Sequence, residues 1–576
     1  MGTDANKKAY RGRGYITKRY PAPKALFDYL WQQTVSLDTP ASLGKRSARM
    51  RYHGFLAHIY VCQVQSSQEH DSDIFDEFVP IYSRLREREF GRSMDPKRLA
   101  ELGIIEIKPH SRQRRKSAEY RLTEEIFSRA LDIEQMNTKA RWRALMHGEL
   151  AQASMVNLMN GGKIVTKRKH SFKVADTHES GSTPSLVKKA VGALQACPFE
   201  PWNAGLMVND LERRVRRVER ELRSGTGRQG SRQPPDKAYQ RALGRLRHLR
   251  ACQKAILDQC PTLLPEKSSN GHPLFQYQAA YSVQVSGRVT EKRGGFQGAS
   301  QVFKRCLLKA VPDVYNYDLR SAQATVLAQE LEACGIPCAW LDDYLANPES
   351  KNVYANQLGV TSDVWKECLY ALVMGAIVEN VYGSISKCLQ RYFADERQAD
   401  DAFTLFIELT KPIAQAVEQW RNYLLNEFDK RYHYHHGGIK HWKNACGMRY
   451  KDYGIKSSVD GTSVVRTENN NTIKYDPKNK ELLRLKRSLA AFILQGQEAC
   501  YIHHLTLICI RSGIPVYKNE HDGLITGKLI PQSLMELASE RSNLPNCALV
   551  LKDLCSEDKL GEWRENLALS SGSKSS

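Results

Sequence analysis

The sequence predicts a mainly helical α+β chain with antiparallel sheet, and three stretches carry that reading. LERRVRRVERELRS and KAYQRALGRLRHLRACQKAIL alternate apolar and basic side chains at helical period on either side of the Gly/Ser/Pro break SGTGRQGSRQPPDK. IPVYKNEHDGLITGKL alternates in a strand pattern on both sides of His521 and Asp522, so these two fall at a hairpin tip. YNYDLRSAQATVLAQEL ends a β-type run on Asp318 and turns helical over Val326 and Leu327. That last geometry suits a carboxylate aimed at a metal and a phosphate.

The 576 residues are enough for two to four domains, and 41% hydrophobic with 26% charged residues is an ordinary globular balance. No window of about 18 apolar residues occurs, and the start MGTDANKKAYRGRGY lacks the apolar core of a secretory signal. The expectation is a bacterial cytoplasmic or nucleoid protein without a membrane partner. Eighty-five Lys and Arg against 63 Asp and Glu leave +22, which points to a polyanion, nucleic acid first, because each neutralised phosphate releases condensed counterions. A merely basic or ribosome-associated protein is the plainer alternative. The 14 cysteines are scattered with no C-x-x-C pair and read as reduced core thiols. His433, His435, His436 and His441 cluster in HYHHGGIKH, but no cysteine or carboxylate completes a familiar zinc spacing, so a structural or phosphate-contacting role is preferred.

Along the chain, residues 1–47 form a basic, turn-rich segment. From 48 to 135 the order is helix, helix, hairpin: IYSRLREREF, then SMDPKRLAELG with Ser93 or Asp95 as cap, Pro96 in the first turn and Gly103 at the end, then IIEIK and AEYRLT. Arg112, Arg114, Arg115 and Lys116 occupy the hairpin tip, where a winged helix-turn-helix keeps the wing that touches DNA backbone. A small α+β domain with a solvated basic loop is the other reading. Residues 136–205 connect this segment to the helical hairpin at 206–270. FIELTKPIAQAVEQWRNYLLNEF is an amphipathic helix, and SSVDGTSVVRTENNNTIKYD suggests a small sheet or hairpin. Residues 566–576 read as a disordered tail.

Asp318 and Asp522 are about 200 positions apart, so only tertiary folding can join them. Taken singly, each is an ordinary turn aspartate. In context the chain resembles the family A nucleotide polymerases, which include bacterial DNA polymerase I and the phage-type single-subunit RNA polymerases. DLRSAQATVLAQ is similar to their first palm motif, EHDG to the third, and KECLYALVMG to the fingers motif K-x-x-x-F/Y-x-x-x-Y-G at Lys366, Tyr370 and Gly375. SGRVTEKRGGFQ looks like the segment whose arginine touches the primer–template minor groove, which places Arg288 there and Gln297 more weakly. RSLAAFILQG resembles the helix before the third motif at Arg487, Gln495 and Gly496, with Ala491 in place of its asparagine.

The resemblance implies a right-hand polymerase: thumb at 206–270, palm at 271–345 and 481–565, fingers and insertions at 346–480. It implies two Mg²⁺ ions on Asp318 and Asp522, triphosphate contact by Lys366 and by Lys351, ring packing by Tyr370 on the incoming nucleotide, and a positional His521. The implied partners are a DNA primer–template, nucleoside triphosphates and replication proteins such as a helicase. Two departures matter. Gln323 stands where DNA polymerases carry a glutamate gate against ribonucleotides, bulky still but uncharged, and Met374 replaces the fingers tyrosine. The expected activity is a DNA-directed DNA polymerase that replicates a plasmid, phage or integrated element. The alternatives are an RNA polymerase or primase on the same palm, and a DNA-binding initiator with an inactive polymerase scaffold.

Overall fold

The computed structural model describes residues 20–37, 46–69, 78–91, 94–109, 117–149, 155–159, 183–223, 235–291, 295–376, 383–393, 395–426, 433–436, 439–451, 455–457, 464–468, 471–475, 480–545 and 547–554. Helices dominate, and the strands form small antiparallel sheets. No helix among these residues is long and apolar enough to cross a membrane, and the described cysteines are all free thiols.

The apolar side chains sort into two cores. The smaller gathers Leu26, Leu30, Phe55, Ile59, Tyr60, Leu99, Tyr120 and Phe127. Its local signals act as the sequence suggests. Asp95 accepts a hydrogen bond from the Lys97 amide at 3.0 Å, Pro96 opens the helix Pro96–Glu101, and Gly103 takes a positive φ of 68° before the strand Ile105–Lys108 pairs with Glu119–Leu122. Arg112, Arg114, Arg115 and Lys116 lie outside the described residues, and so does any contact they make.

The domain limits drawn from the sequence need correction at this end. Tyr20, Ala22, Leu26 and Leu30, in the segment read as a basic leader, are buried in the same core, and the strand Pro21–Pro23 pairs with Met155–Asn157. A boundary at 135 would cut the continuous helix Glu124–Met146. That helix buries Phe127 and Ala130 in the small core and Trp142, Leu145 and Met146 in the large one. One helix can serve two cores because its apolar face simply continues across the junction.

The junction is also polar. Glu134 accepts from the hydroxyls of Tyr20 (3.1 Å) and Tyr60 (3.0 Å), and Lys254 bridges to Asp258 (2.7 Å) and to the carbonyl of Pro21 (3.1 Å). Lys254 belongs to the helix Pro235–Asp258, which packs on Pro201–Arg223 as the expected basic hairpin. Along it Lys139 and Arg250 share Glu212, both at 2.8 Å, while Arg213, Arg216, Arg217 and Arg220 face solvent.

The large core holds a four-stranded antiparallel sheet in the order Val516–Asn519, Gly523–Thr526, Tyr315–Leu319, Leu549–Lys552. The 32-residue helix Lys480–Arg511 packs behind it, against the helices Ala322–Ala333 and Glu396–Asn426. The region read as a small sheet or hairpin is a three-stranded sheet, Ile455–Ser457, Val464–Glu468 and Asn471–Tyr475.

Trp142 anchors the junction from the large-core side. It is 1% exposed, donates its indole N–H to the Pro201 carbonyl at 3.0 Å and packs near Phe199 and Phe303. Trp142→Ala is expected to cost about 3–5 kcal/mol in denaturant unfolding, because it empties a ring-sized volume and removes a buried hydrogen bond.

Candidate active site

Asp318 ends the strand Tyr315–Leu319 one residue before its last position, and in the register it faces Gly523, the neighbour of Asp522. The Leu319 amide donates to the Asp522 carbonyl at 2.7 Å, which ties the two carboxylate-bearing backbones together. Glycine is required at 523: a Cβ there would run into the Tyr317 carbonyl oxygen. Below, Tyr317 is buried and its hydroxyl accepts the Ile530 amide at 2.9 Å. The hairpin turns through His521, which holds a φ of 72°, with the His521 amide bonded to Asn519 Oδ1 at 3.0 Å. Left-handed backbone on a histidine is uncommon, and the turn's own hydrogen bonds hold it there.

Burial raises the pKa of Asp318, and the Asp522 charge beside it raises it further; Lys552, bonded to Asp318, and nearby Lys366 pull the other way. His521 is held neutral: burial first, then Arg288 and Lys304, lower it to about 4, and its Nδ1 is buried without a hydrogen-bond partner. Lys304 pairs with half-buried Glu520 at the start of the same tip.

Lys366 and Tyr370 share one face of the helix Ser362–Val373, which Thr361 caps, and the Lys366 ammonium lies 5.3 Å from the Tyr370 ring centre. Burial, and after it the negative charges of Asp522 and Glu498, push the Tyr370 hydroxyl well above its ordinary pKa. Arg320, Ser321, Lys351, Lys366, Tyr370 and Lys552 line an open cleft of about 1050 Å³, with Glu332 and Asp342 also on its walls. Lys351 is 3.8 Å from Asp363.

Other expected site residues are placed differently. Gln323 is half-buried in the first turn of Ala322–Ala333, but that helix lines the cleft through Ser321, Ala324 and Thr325, and Gln323 falls outside. Met374 caps the end of Ser362–Val373, half-buried against the core and also outside the lining. Gln297, expected at nucleic acid, is spent internally: it accepts from the Glu291 amide at 2.7 Å and donates to the carbonyls of Val289 (3.0 Å) and Asn519 (2.9 Å). A side chain with all its polar atoms so engaged has nothing to offer a ligand.

Arg288, expected in the minor groove, is instead gripped within the protein by Glu498, with Nη2 at 2.5 and 2.6 Å from its two carboxylate oxygens and only 13% of the side chain exposed. The turn that presents it is fixed from two sides. Asn444 donates to the Ser286 carbonyl at 2.8 Å, and His503 Nε2 lies 2.9 Å from the Gly287 carbonyl. Gly496 lets Asn444 approach the long helix, since a Cβ would strike its side chain. Gln495 is half-buried one residue earlier, and Arg487 packs under Gly375, where an added Cβ would lie 2.6 Å from its Cγ. Of the histidine run, His441 is buried, and the side chains of His433, His435 and His436 lie outside the described residues.

Glu498 is the main residue that sequence reasoning missed. Burial, then the aspartates 522 and 318 against the pull of Arg288, raise its carboxyl to about 7. Its only signal was an acid inside the otherwise uncharged run AFILQGQEACYI. Among the described residues no group of three or more Cys, His, Asp and Glu side chains forms a metal cluster, so the aspartate pair stands by itself.

No family model matches the chain, and no curated protein does. Among solved structures, one similar to it is the POL domain of Pol1 from M. smegmatis in complex with DNA primer-template and dNTP. The two are 11% identical over 64% of this chain and 69% of that one, with a TM-score of 0.40. The likeness is distant, and the site rests on its own geometry.

A carboxyl whose pKa is raised on folding favours the fold at low pH, fully so below about 4.5, and loses that contribution as pH rises through 7. In metal-free protein, wild type should therefore lose up to about 3 kcal/mol relative to Glu498→Gln between pH 4.5 and pH 8, read from paired denaturant unfolding curves.

Proposed function

We propose that the chain is a template-directed nucleic-acid polymerase, a DNA-directed DNA polymerase in the first instance, with thumb, palm and fingers as laid out from the sequence. The observation that carries this is the backbone pairing that joins Asp318 to the turn at Asp522, with Lys552 bonded to Asp318 and Lys366 and Tyr370 lining the same cleft as Lys552.

The pair fits Mg²⁺. It offers hard oxygen donors, few in number, for an ion that keeps much of its shell as water and phosphate oxygen. Asp318 also carries repulsion that a divalent cation would relieve and for which an ammonium now substitutes. When bound, two Mg²⁺ ions lower the pKa of an attacking hydroxyl and neutralise the departing pyrophosphate.

The protein's own groups do the rest. Asp318 and Asp522 present their carboxylates from backbones that are joined to one another. Lys366 places a point charge over the triphosphate, and Tyr370 packs against base or sugar. His521, neutral at pH 7, offers a hydrogen bond near the primer end and no charge. Arg288, held by Glu498, stiffens the floor under the hairpin tip. The basic faces of Pro201–Arg223 and Pro235–Asp258 suit duplex phosphates, and the amino-terminal module suits a second DNA contact at an origin or terminus.

An RNA polymerase or primase is the second reading, and one observation favours it: Gln323 is uncharged where the DNA polymerases carry a glutamate gate.

Primer extension on a DNA template decides among these. Wild type should incorporate deoxynucleotides, Asp318→Ala and Asp522→Ala should each lose about a thousandfold or more, and Gln323→Ala should raise ribonucleotide use. Incorporation of ribonucleotides alone would favour the second reading. Site-specific footprinting with no incorporation would leave a DNA-binding scaffold.

A further inference from the structure

We propose that Lys552 is a mobile triphosphate contact: in the metal-free site it neutralises Asp318, and cations bound at the aspartates displace its ammonium onto the phosphates of the incoming nucleotide. The inference deepens the polymerase reading and rests on it.

Its basis is the fourth strand of the sheet. Leu549–Lys552 pairs antiparallel with Tyr315–Leu319 on the side away from Asp522, Lys552 opposite Asn316 and Val550 opposite Asp318. Residues paired across strands, and those two apart along one, share a face, so Lys552 and Asp318 stand diagonally on the same side of the sheet. There the Lys552 ammonium bonds Asp318 Oδ2. The lysine stays 47% exposed while the aspartate is 22% exposed, so the ammonium reaches inward from the open side. That open side is the cleft, and Lys552 lines it with Arg320, Lys351 and Lys366.

An ordinary exposed ion pair contributes little and needs no further role. This one differs in its second neighbour. Asp318 already bears the repulsion of Asp522, and a single ammonium on one carboxylate leaves half of that charge uncompensated. A divalent cation shared by both aspartates answers it better, and it competes for the same oxygen. Once displaced, the lysine stays anchored at the rim of a cleft whose other cations already suit a polyphosphate. The residue would then couple the two binding events, holding the empty site together and tightening on nucleotide only after metal is in place.

The test uses the intact chain without nucleic acid. Mn²⁺ binding is followed by electron paramagnetic resonance, and binding of a fluorescent deoxynucleoside triphosphate by anisotropy at saturating Mn²⁺. Lys552→Met and Lys552→Gln, checked by thermal melting, should each bind Mn²⁺ about tenfold more tightly in the absence of nucleotide and bind the triphosphate about tenfold more weakly. Lys552→Arg, which keeps the charge, should stay within about threefold of wild type on both. Asp318→Asn should weaken Mn²⁺ binding whatever Lys552 does. If Asp318→Asn weakens it while both neutral variants of Lys552 match wild type, the inference fails and the polymerase reading stands. If wild type binds neither Mn²⁺ nor the triphosphate, both fall together.

Discussion

Two aspartates joined through their backbones, Asp318 near the end of its strand and Asp522 in the turn before Gly523–Thr526, are the constraint from which the rest of the site follows. Neighbouring carboxylates repel, and the fold must hold them there regardless. It does so through backbone: the Leu319 amide on the Asp522 carbonyl, the absence of a Cβ at Gly523, and Tyr317 buried beneath with its hydroxyl on Ile530. Underneath the hairpin, Lys518, Tyr277 and Glu291 form a buried network, with Lys518 Nζ 2.6 Å from the Tyr277 hydroxyl and that hydroxyl 2.8 Å from Glu291. Gln297 stitches the same layer to Asn519. A satisfied polar floor of this kind resists the splaying that the charges above it favour.

The surroundings answer the charge unevenly. Lys552 and Lys366 reach Asp318 from the cleft side, while on the opposite side Arg288 is taken up by Glu498, itself a carboxylate within the influence of both aspartates. Glu498 is thus spent on Arg288, and the open cleft carries Arg320, Lys351, Lys366 and Lys552 together with Glu332 and Asp342. Such an arrangement suits a pocket that awaits divalent ions within and a polyanion at its mouth. Burial first, and then the charges of Arg288 and Lys304, keep His521 neutral, and its Nδ1 is buried without a hydrogen-bond partner.

Local features were legible in the sequence where the signal is local. Asp95 with Pro96, the Gly/Pro break between the two Arg-rich helices, the strand alternation about His521 and the strand-to-helix turn after Asp318 all sit where residue type alone settles the backbone. What escaped was tertiary. Leu549–Lys552 is four residues long and carries no mark of its place beside Asp318. Asn444 reaches the Ser286 turn from 158 residues away. Arg288 and Gln297 match a motif by type, yet their polar atoms face inward because Glu498 and the Glu291 backbone are there to receive them. The helix Glu124–Met146 misled in another way: a periodic apolar face does not disclose that its two halves serve different cores.

The central claim is that Asp318 and Asp522 hold divalent cations jointly. Fe²⁺ in place of Mg²⁺, with ascorbate and peroxide, generates radicals that cut the polypeptide only beside the bound ion, and the fragments can be mapped by mass spectrometry. Two clusters of cuts are predicted, around 318 and around 522, both suppressed by excess Mg²⁺. Cuts at one of these alone, or at unrelated segments with neither position touched, would contradict a shared site.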